Sequence, residues 1–287
     1  MARFEPVIGR YVYVVVRGTE YRVYFEQSGK GIPLVCLHTA ASDGRLWRHA
    51  LNDEEITRKY QVIAPDLPYH GKSLPPESVE WWKEEYKLTK GFLLDFQVEF
   101  SRALGLERPV YLGCSIGGKL AVDLALERPD AFRAVIGLES GFSRAKTAPA
   151  LDFHNHPRIS NQFRMQSMYG KTAPGNPEKY RREIGWTYGQ SAPPVSKGDL
   201  YYNFIDHDLS GDKARGIDTS RVAVYLMAGE YDYANSPADT RVLAEQIKGA
   251  RFVEMKGLGH FPMSENFEVF KKYLMPILEE IATNGQK

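Results

Sequence analysis

Hydrophobic and polar residues alternate with two different periods along this chain. Residues 10–17 and 21–26 are rich in Val and Tyr and are separated by Gly18-Thr19, which predicts an antiparallel β-hairpin. After the hairpin, short apolar runs of strand length alternate with longer segments whose apolar residues recur at helical spacing. Strands that alternate with helices predict an α/β fold with a mostly parallel central sheet and helices on both faces.

The predicted strands and helices follow one another in a regular order. Strands are expected at residues 32–37, 61–64, 110–112, 134–138, 222–227 and 251–255. Helices are expected at residues 46–59, 88–104, 119–126, 237–247 and 266–281. The last of these helices is long and amphipathic, and it is compatible with a homodimer contact.

The segment of residues 142–216 interrupts this alternation. It contains six prolines and scattered aromatic residues but no clear strand, and helices are expected near residues 160–169 and 177–187. Long insertions in α/β enzymes are often lids over the active site. We therefore predict a core of residues 1–141 and 217–287 with an inserted, mainly helical cap. The predicted cap has 11 Lys/Arg against 7 Asp/Glu, which is compatible with an anionic substrate but too small an excess to argue for one.

Composition narrows the possible classes of function. The 287 residues include 37 basic and 36 acidic side chains, so charge does not indicate nucleic acid or a membrane surface as a partner. No segment approaches the ~18 apolar residues of a membrane span, and the N-terminus does not resemble a signal peptide. Cys36 and Cys114 lie in apolar runs, which indicates buried thiols in a reducing compartment. A cytoplasmic protein is the expectation.

The candidate chemistry centres on residues 110–118, Val-Tyr-Leu-Gly-Cys-Ser-Ile-Gly-Gly. A strand that turns directly into a helix around G-x-S-x-G is the pattern of a nucleophile elbow. Such a tight turn needs small neighbours, and Gly113 and Gly117 satisfy this need because they lack a Cβ. Ser115 would stand at a helix N-terminus, where the dipole favours negative charge. The pattern predicts Ser115 as the nucleophile, whereas Cys114 would point into the sheet.

A serine hydroxyl is a weak nucleophile and needs a base within hydrogen-bond reach. Asp232 comes directly after one predicted strand, and His260 comes after the next in a glycine-rich loop. Both residues would lie at the carboxyl edge of the sheet with Ser115, where open α/β sheets form their sites. We predict that His260 is the general base and that Asp232 orients it, with Glu230 and Glu139 as alternative acids.

The remaining parts of the site are an oxyanion hole and a substrate pocket. A tetrahedral oxyanion needs two backbone N–H donors. One is expected from Ile116, the residue after the nucleophile, and the other from Ala40, in the loop after the strand of residues 32–37. Large side chains of the predicted cap and of the His260 loop are candidates for the pocket: Met165, Tyr169, Trp186, Tyr188 and Phe261.

With these residues in view, the sequence resembles the α/β-hydrolase fold superfamily, in particular its capped serine esterases and C–C hydrolases. The resemblance covers nearly the whole chain outside residues 142–216. It rests on the loop at His38, the elbow, residues 65–73 (Pro-Asp-Leu-Pro-Tyr-His-Gly-Lys-Ser), residues 229–232 with the following Pro237, and Gly259-His260.

Two positions depart from the pattern of that superfamily. Thr39 stands where a glycine usually follows His38, so the oxyanion loop is expected to be set differently. Tyr69 stands where Pro-Gly-His-Gly usually has its first glycine, which would place an aromatic side chain near the pocket or on the surface.

The other histidines are not expected to carry the chemistry. His154 and His156 are two residues apart, but no third ligand with suitable spacing follows them, so no metal site is predicted. His38 and His70 are expected to be hydrogen-bonded structural residues. Residues 206–208, Asp-His-Asp, are interpreted as a polar loop.

The resemblance implies a serine hydrolase without a cofactor. It would cleave a small to medium carboxylic ester, lactone or thioester through an acyl-enzyme on Ser115, and its partner would be a small-molecule substrate. Related epoxide hydrolases and haloalkane dehalogenases carry Asp at the elbow, which disfavours those activities. A C–C bond hydrolase for a diketone-type substrate, or a lyase or acyltransferase, would use the same triad. A receptor-like module with slow turnover is an alternative of another class.

Overall fold

A single eight-stranded sheet organises the fold. The computed structural model describes residues 2–142 and 149–284. The strands are β1 Ile8–Val16, β2 Thr19–Ser28, β3 Ile32–Leu37, β4 Tyr60–Pro65, β5 Val110–Cys114, β6 Ala134–Leu138, β7 Ala223–Gly229 and β8 Arg251–Met255. Their order is β1-β2-β4-β3-β5-β6-β7-β8. The β1–β2 and β2–β4 pairs are antiparallel, and the pairs from β4–β3 to β7–β8 are parallel.

Helices connect the strands and cover the sheet. They are α1 Arg48–Leu51, α2 Glu54–Thr57, α3 Lys90–Ala103, α4 Ile116–Glu127, α5 Pro149–Asp152, α6 Asn161–Tyr169, α7 Glu178–Gly189, α8 Pro193–Tyr201, α9 Pro237–Gln246, α10 Pro262–Glu265 and α11 Phe267–Asn284. Short 3-10 turns lie at Gly44–Trp47, Trp81–Lys83, Pro129–Ala131, Phe153–Asn155 and Ala214–Gly216, and a π-helical turn at Tyr202–Asp206. No helix in the described ranges is long and apolar enough to cross a membrane.

Apolar side chains are buried on both faces of the sheet. Strands covered on both faces carry apolar residues at successive positions, and all five residues of β5 are buried. One buried cluster includes Leu37 and Phe100, and the other includes Leu112 and Phe270. The predicted α/β architecture, a mostly parallel sheet with helices on both faces, is confirmed. Because both faces are covered, the loops at the carboxyl edge are the places where polar side chains can gather.

The N-terminal hairpin is confirmed, but its turn differs by one residue from the prediction. Val16 pairs with Thr19, so the turn is Arg17-Gly18. Both turn residues have positive φ, 53° and 82°, which is the pattern of the two-residue turn that matches the twist of a hairpin.

The single helix predicted for residues 46–59 is wrong. α1 ends at Leu51, and α2 begins only at Glu54. Between them, Asp53 has an extended backbone, and its Oδ1 accepts the N–H of Ile56 at 3.0 Å. An aspartate that caps a new helix in this way competes with continuation of the preceding one.

The described chain between β6 and β7 contains helices and no strand. Helices α6 and α7 lie where helical spacing predicts them. Helix α8 is an addition, because Pro193 and Pro194 read as a loop signal in sequence although proline is favourable in the first turn of a helix. The first residues of the predicted cap, 143–148, lie outside the described residues. The division into core and cap stays a prediction.

Close packing between α4 and β6 depends on a glycine. A Cβ on Gly118 would collide with the carbonyl oxygen of Leu138, whereas nothing lies within 4 Å of a Cβ on Gly175. We expect Gly118→Ala to lower the free energy of unfolding by about 1–3 kcal/mol or more, because α4 has to move away from the sheet. Urea unfolding measures this loss. Gly175→Ala is the matched control, and its free energy of unfolding is expected to stay within about 0.5 kcal/mol of the wild type. Equal stability of both variants would show that the helix relaxes without cost.

Candidate active site

Ser115 lies in the tight turn between β5 and α4. Its φ of 59° and ψ of −109° are costly for a residue with a side chain. Hydrogen bonds hold both of its backbone groups, since its N–H donates to the Leu138 carbonyl at 2.9 Å and its carbonyl accepts the N–H of Lys119 at 2.9 Å. The residue therefore stands at the carboxyl edge of the sheet and at the N-terminus of α4, as the G-x-S-x-G pattern predicts.

Asp232 and His260 form a buried pair at the same edge. Asp232 follows β7 and His260 follows β8, and Asp232 Oδ2 lies 2.9 Å from His260 Nδ1. Burial alone would raise the pKa of Asp232, but the His260 ring and hydrogen bonds from Glu139 and the Ala234 N–H outweigh it and lower that pKa. An ionised Asp232 fixes the proton of the imidazole on Nδ1 and leaves Nε2 as the nitrogen that can take a proton.

Glu139, an alternative acid in the sequence, lies beside Asp232 without replacing it. Its two oxygens accept the N–H of Gly229 at 2.9 and 3.1 Å, and its side chain is hydrogen-bonded to Asp232. Burial and the negative charge of Asp232 raise the pKa of Glu139 well above its usual value, so Glu139 is the protonated member of the pair. The imidazole of His260 is hydrogen-bonded to Asp232, and Glu230 is exposed.

The loop after β3 is anchored on both sides of Ala40. The side chains of Thr39 and Tyr188 are hydrogen-bonded, and the N–H of Ala41 donates to Asp199 Oδ2 at 2.6 Å. The N–H of Ala40, between these two anchors, has no acceptor among the described residues, and Ala40 lines the same cavity as Ser115. The N–H of Ile116 is equally without an intrahelical acceptor, since Ile116 is the first residue of α4.

His38 and His70 are buried and hydrogen-bonded, in different charge states. His38 Nε2 accepts the N–H of Leu67 at 3.1 Å while its Nδ1 lies 2.8 Å from the carbonyl of Thr39, an arrangement that requires a neutral ring. Burial, together with the nearby His70, lowers the pKa of His38 to about 4. His70 faces acceptors at both nitrogens, a backbone carbonyl at 2.9 Å and Asp199 Oδ2 at 2.8 Å. These contacts outweigh its burial and raise the pKa of His70, which is therefore the charged ring.

A cavity of about 250 Å³ contains both Ser115 and His260 in its wall. Most of its other walls come from helices and loops between β6 and β7, including Phe153, Phe163, Arg164, Met168, Tyr188 and Phe204, and the rest from the loops after β3 and β7. This volume lies just below the usual range of ligand sites, about 300–1,000 Å³, and suits a small ligand.

Of the side chains predicted for the substrate pocket, Tyr188 lines this cavity. Met165 and Tyr169 lie on the side of α6 that packs against α7: the Met165 sulfur approaches Gly189, and the Tyr169 hydroxyl donates to Glu178 at 2.9 Å. Trp186 is 65% exposed on the outer side of α7. Phe261 is buried, with its ring centroid 5.0 Å from that of His260. Helical spacing identifies both faces of α6 as candidates, and the contact with α7 decides which one meets the cavity.

The structure also places several residues where the sequence gives little signal. His207 is not in a solvated loop: its Nδ1 lies 2.8 Å from Asp123 Oδ2 on α4 and its Nε2 3.0 Å from the Gly141 carbonyl, all buried. Asp199, on α8, joins the loop after β3 to His70. A lone carboxylate inside an apolar helix, such as Asp123, is the one signal in sequence that points to such a buried pair.

Tyr69 lines a second, larger cavity of about 820 Å³ whose wall does not include Ser115 or His260. Its φ of 73° is the left-handed conformation that a glycine would adopt without strain.

In the described chain, no group of three or more His, Cys, Asp or Glu side chains is arranged to hold a metal ion. Cys36 and Cys114 are buried free thiols, as the sequence predicts, and the Cys114 sulfur lies 3.3 Å from the His260 carbonyl.

Comparison with known proteins places this chain in a family. The chain is 28% identical over 133 residues to 2-hydroxymuconate semialdehyde hydrolase of Pseudomonas sp. (strain CF600), which covers 46% of this chain and 43% of that protein. It is 32% identical over 139 residues to bifunctional epoxide hydrolase 2 of Sus scrofa, which covers 48% of this chain and 23% of that protein. The chain thus spans less than half the length of these curated relatives.

The solved structures extend the likeness to nearly the whole chain. A thermophilic esterase from Thermogutta terrifontis superposes with a TM-score of 0.81 at 20% identity, over 95% of this chain and 99% of that one. At this identity the likeness concerns the fold. The profile of the alpha/beta hydrolase fold family matches residues 32–177, which is half of the chain. The chain belongs to the alpha/beta hydrolase fold family.

Proposed function

We propose that this protein is a serine hydrolase that cleaves a small to medium carboxylic ester, lactone or thioester through an acyl-enzyme on Ser115. The observation that carries the proposal is the shared cavity of Ser115 and His260, in which Asp232 holds His260 at 2.9 Å. A weak nucleophile, a base and a group that orients the base are the three parts that acyl transfer to serine requires.

In the proposed first step, Ser115 Oγ attacks the substrate carbonyl while His260 Nε2 takes its proton. The negative charge that develops on the carbonyl oxygen is stabilised by the N–H groups of Ile116 and Ala40. Asp232 stabilises the imidazolium and keeps its ring in place. Collapse of the tetrahedral intermediate expels the alcohol or thiol, which receives the proton from His260.

In the second step, His260 takes a proton from water, which attacks the acyl-enzyme. Collapse of this intermediate breaks the bond to Ser115 Oγ, which receives the proton from His260 as the acid leaves. Helices α6 to α8 wall the cavity, and this supports the role of residues 142–216 as a lid that limits access of bulk water and of large substrates. The small cavity volume of about 250 Å³ favours a short acyl chain.

One kind of relative supports a second candidate activity. The match to a 2-hydroxymuconate semialdehyde hydrolase favours C–C bond cleavage of a diketone-type substrate as the alternative reaction. The same three residues would serve it, so the products and not the site distinguish the two.

The test is a panel of p-nitrophenyl esters and thioesters of increasing acyl length, with lactones and a vinylogous diketone. A fluorophosphonate is added in parallel, and mass spectrometry locates its adduct. We expect turnover that is highest for short acyl chains and an adduct on Ser115. An adduct with turnover of the diketone alone would establish the alternative. No adduct and no turnover of any substrate would refute a serine nucleophile.

A further inference from the structure

The wall of the cavity that contains Ser115 includes two cationic side chains. Arg164 and Lys171 lie in its wall together with His154 and His156, and none of the described residues that line it is Asp or Glu. Burial and the positive charges of Lys171 and Arg164 lower the pKa of His154 to about 4, so a further positive charge is disfavoured there. Two cationic side chains in the wall, with no acidic side chain among the described lining residues, favour anionic ligands over cationic ones.

Arg164, on α6, is the cation whose surroundings are incomplete. Its Nη2 donates to two neutral acceptors, the carbonyls of His154 and Pro193, each at 3.3 Å. Its Nη1 is buried and has no acceptor in the part of the chain that the structure describes. A buried N–H without an acceptor is rare in folded proteins, and a buried cation is normally paired with a carboxylate.

The carboxylate that acts on Arg164 is already engaged elsewhere. Asp199 contributes to the electrostatic surroundings of Arg164, but its Oδ2 accepts from the N–H of Ala41 and pairs with His70. By contrast, the more accessible Arg17 forms its own ion pair with an aspartate at 2.8 Å. Arg164 is thus a half-buried guanidinium in the wall of the reaction cavity, and one of its nitrogens has no acceptor among the described residues.

We propose that Arg164 binds a carboxylate of the substrate that is remote from the scissile bond. A guanidinium matches a carboxylate in geometry and charge, and rotation of the Arg164 side chain toward the cavity would bring its unused Nη1 to that carboxylate. The preferred substrates are then esters, lactones or thioesters that carry a free carboxylate, such as half-esters of dicarboxylic acids. This inference rests on the proposed function and specifies its substrate class.

The test compares two p-nitrophenyl esters of equal length. One is the adipate half-ester, whose chain is too long for easy formation of a cyclic anhydride, and the other is the neutral heptanoate. We expect the wild type to prefer the half-ester, and Arg164→Gln to lower kcat/KM for it by about 10- to 100-fold, mainly through KM. Activity on the heptanoate should stay within about threefold, because the neutral ester does not use the charge.

Arg158→Gln is the matched control, since Arg158 is an exposed arginine of the same segment and does not line the cavity. We expect it to leave both activities unchanged, and Arg164→Lys to retain part of the preference because the positive charge remains. Equal losses on both esters in Arg164→Gln would make Arg164 a structural residue and overturn the proposal. A wild type without preference for the half-ester would also overturn it.

A binding measurement separates this inference from the proposed function. Calorimetric titration of adipate into the wild type should give binding that Arg164→Gln weakens about 10-fold or more and Arg158→Gln does not. Adipate binding without hydrolysis of any ester would leave the anion site standing and refute the esterase. Ester hydrolysis without Arg164-dependent binding or preference would leave the esterase standing and refute the anion site.

Discussion

Replacement of Ser115 by alanine is expected to lower kcat for the best ester by about 10⁴- to 10⁶-fold. The loss is this large because the variant has no atom that can form the acyl-enzyme, and what remains is the contribution of the oxyanion donors and of binding. KM should change little, since the hydroxyl of a ground-state serine contributes little to binding. Single-turnover and steady-state kinetics, together with fluorophosphonate labelling, measure the effect.

Cys114→Ala is the control for this experiment. Cys114 is the neighbouring nucleophile in sequence, but its sulfur is buried in the sheet, and burial raises the pKa of the thiol well above its usual value. We expect this variant to keep its activity within about threefold and to keep the adduct on Ser115. Substantial activity in Ser115→Ala, at a level that purification does not reduce, would contradict the assignment of the nucleophile.

Asp232→Asn is expected to lower kcat by about 10³- to 10⁴-fold. An amide cannot stabilise the imidazolium of His260, and it favours the wrong tautomer of the ring. Glu139→Gln, which has the same shape as the protonated Glu139, is expected to lower kcat less than about 10-fold, because its amide can still donate to Asp232 and accept from Gly229. Comparison of kcat for the two variants over a range of pH distinguishes the two carboxyl groups. A larger loss of kcat in Glu139→Gln than in Asp232→Asn would show that Glu139, and not Asp232, is the carboxylate that assists His260.

The protonation of Glu139 has an independent signature in stability. Its pKa is raised in the folded protein, so the folded state holds a proton that the unfolded state releases once the pH exceeds the usual range of a glutamate. Stability from this group is therefore full at low pH and is lost as the pH rises toward the raised pKa. Glu139→Gln should remove this pH dependence of the free energy of unfolding. The variant should therefore be more stable, relative to the wild type, at pH 8 than at pH 5. Urea unfolding at several pH values measures this difference. If the free energies of unfolding of the two proteins change in parallel with pH, Glu139 is ionised in the folded protein.

The edge of the sheet that carries the site is predictable because local rules govern it. Short apolar runs separated by helical segments give parallel strands, and their carboxyl ends meet at one edge whatever the details of packing. The conformation of Ser115 follows from glycines two residues away on either side, a constraint that operates within five residues. The positions of Asp232 and His260 after consecutive strands are equally a property of the chain order.

Helix limits and pocket residues are less predictable, for two reasons. Apolar spacing does not reveal where a polar side chain caps a new helix, and Asp53 therefore breaks a helix that the spacing predicts as continuous. An amphipathic helix also presents several large side chains, and its sequence does not state which neighbour each one meets. On α6, contact with α7 turns Met165 away from the cavity and leaves Phe163 and Arg164 in its wall.

The sequence by itself determined the α/β architecture, the elbow around Ser115 and the order of the candidate acid and base along the sheet. Each of these depends on periodicity or on glycines close in the chain. Only the tertiary structure decided that His260 meets Asp232 while Glu139 is the protonated neighbour of Asp232. It also decided that Arg164 lies in the wall of the cavity of Ser115 with one nitrogen that has no acceptor in the described part of the chain. Charge state and pairing depend on distances between side chains tens of residues apart, and those distances exist only once the chain has folded.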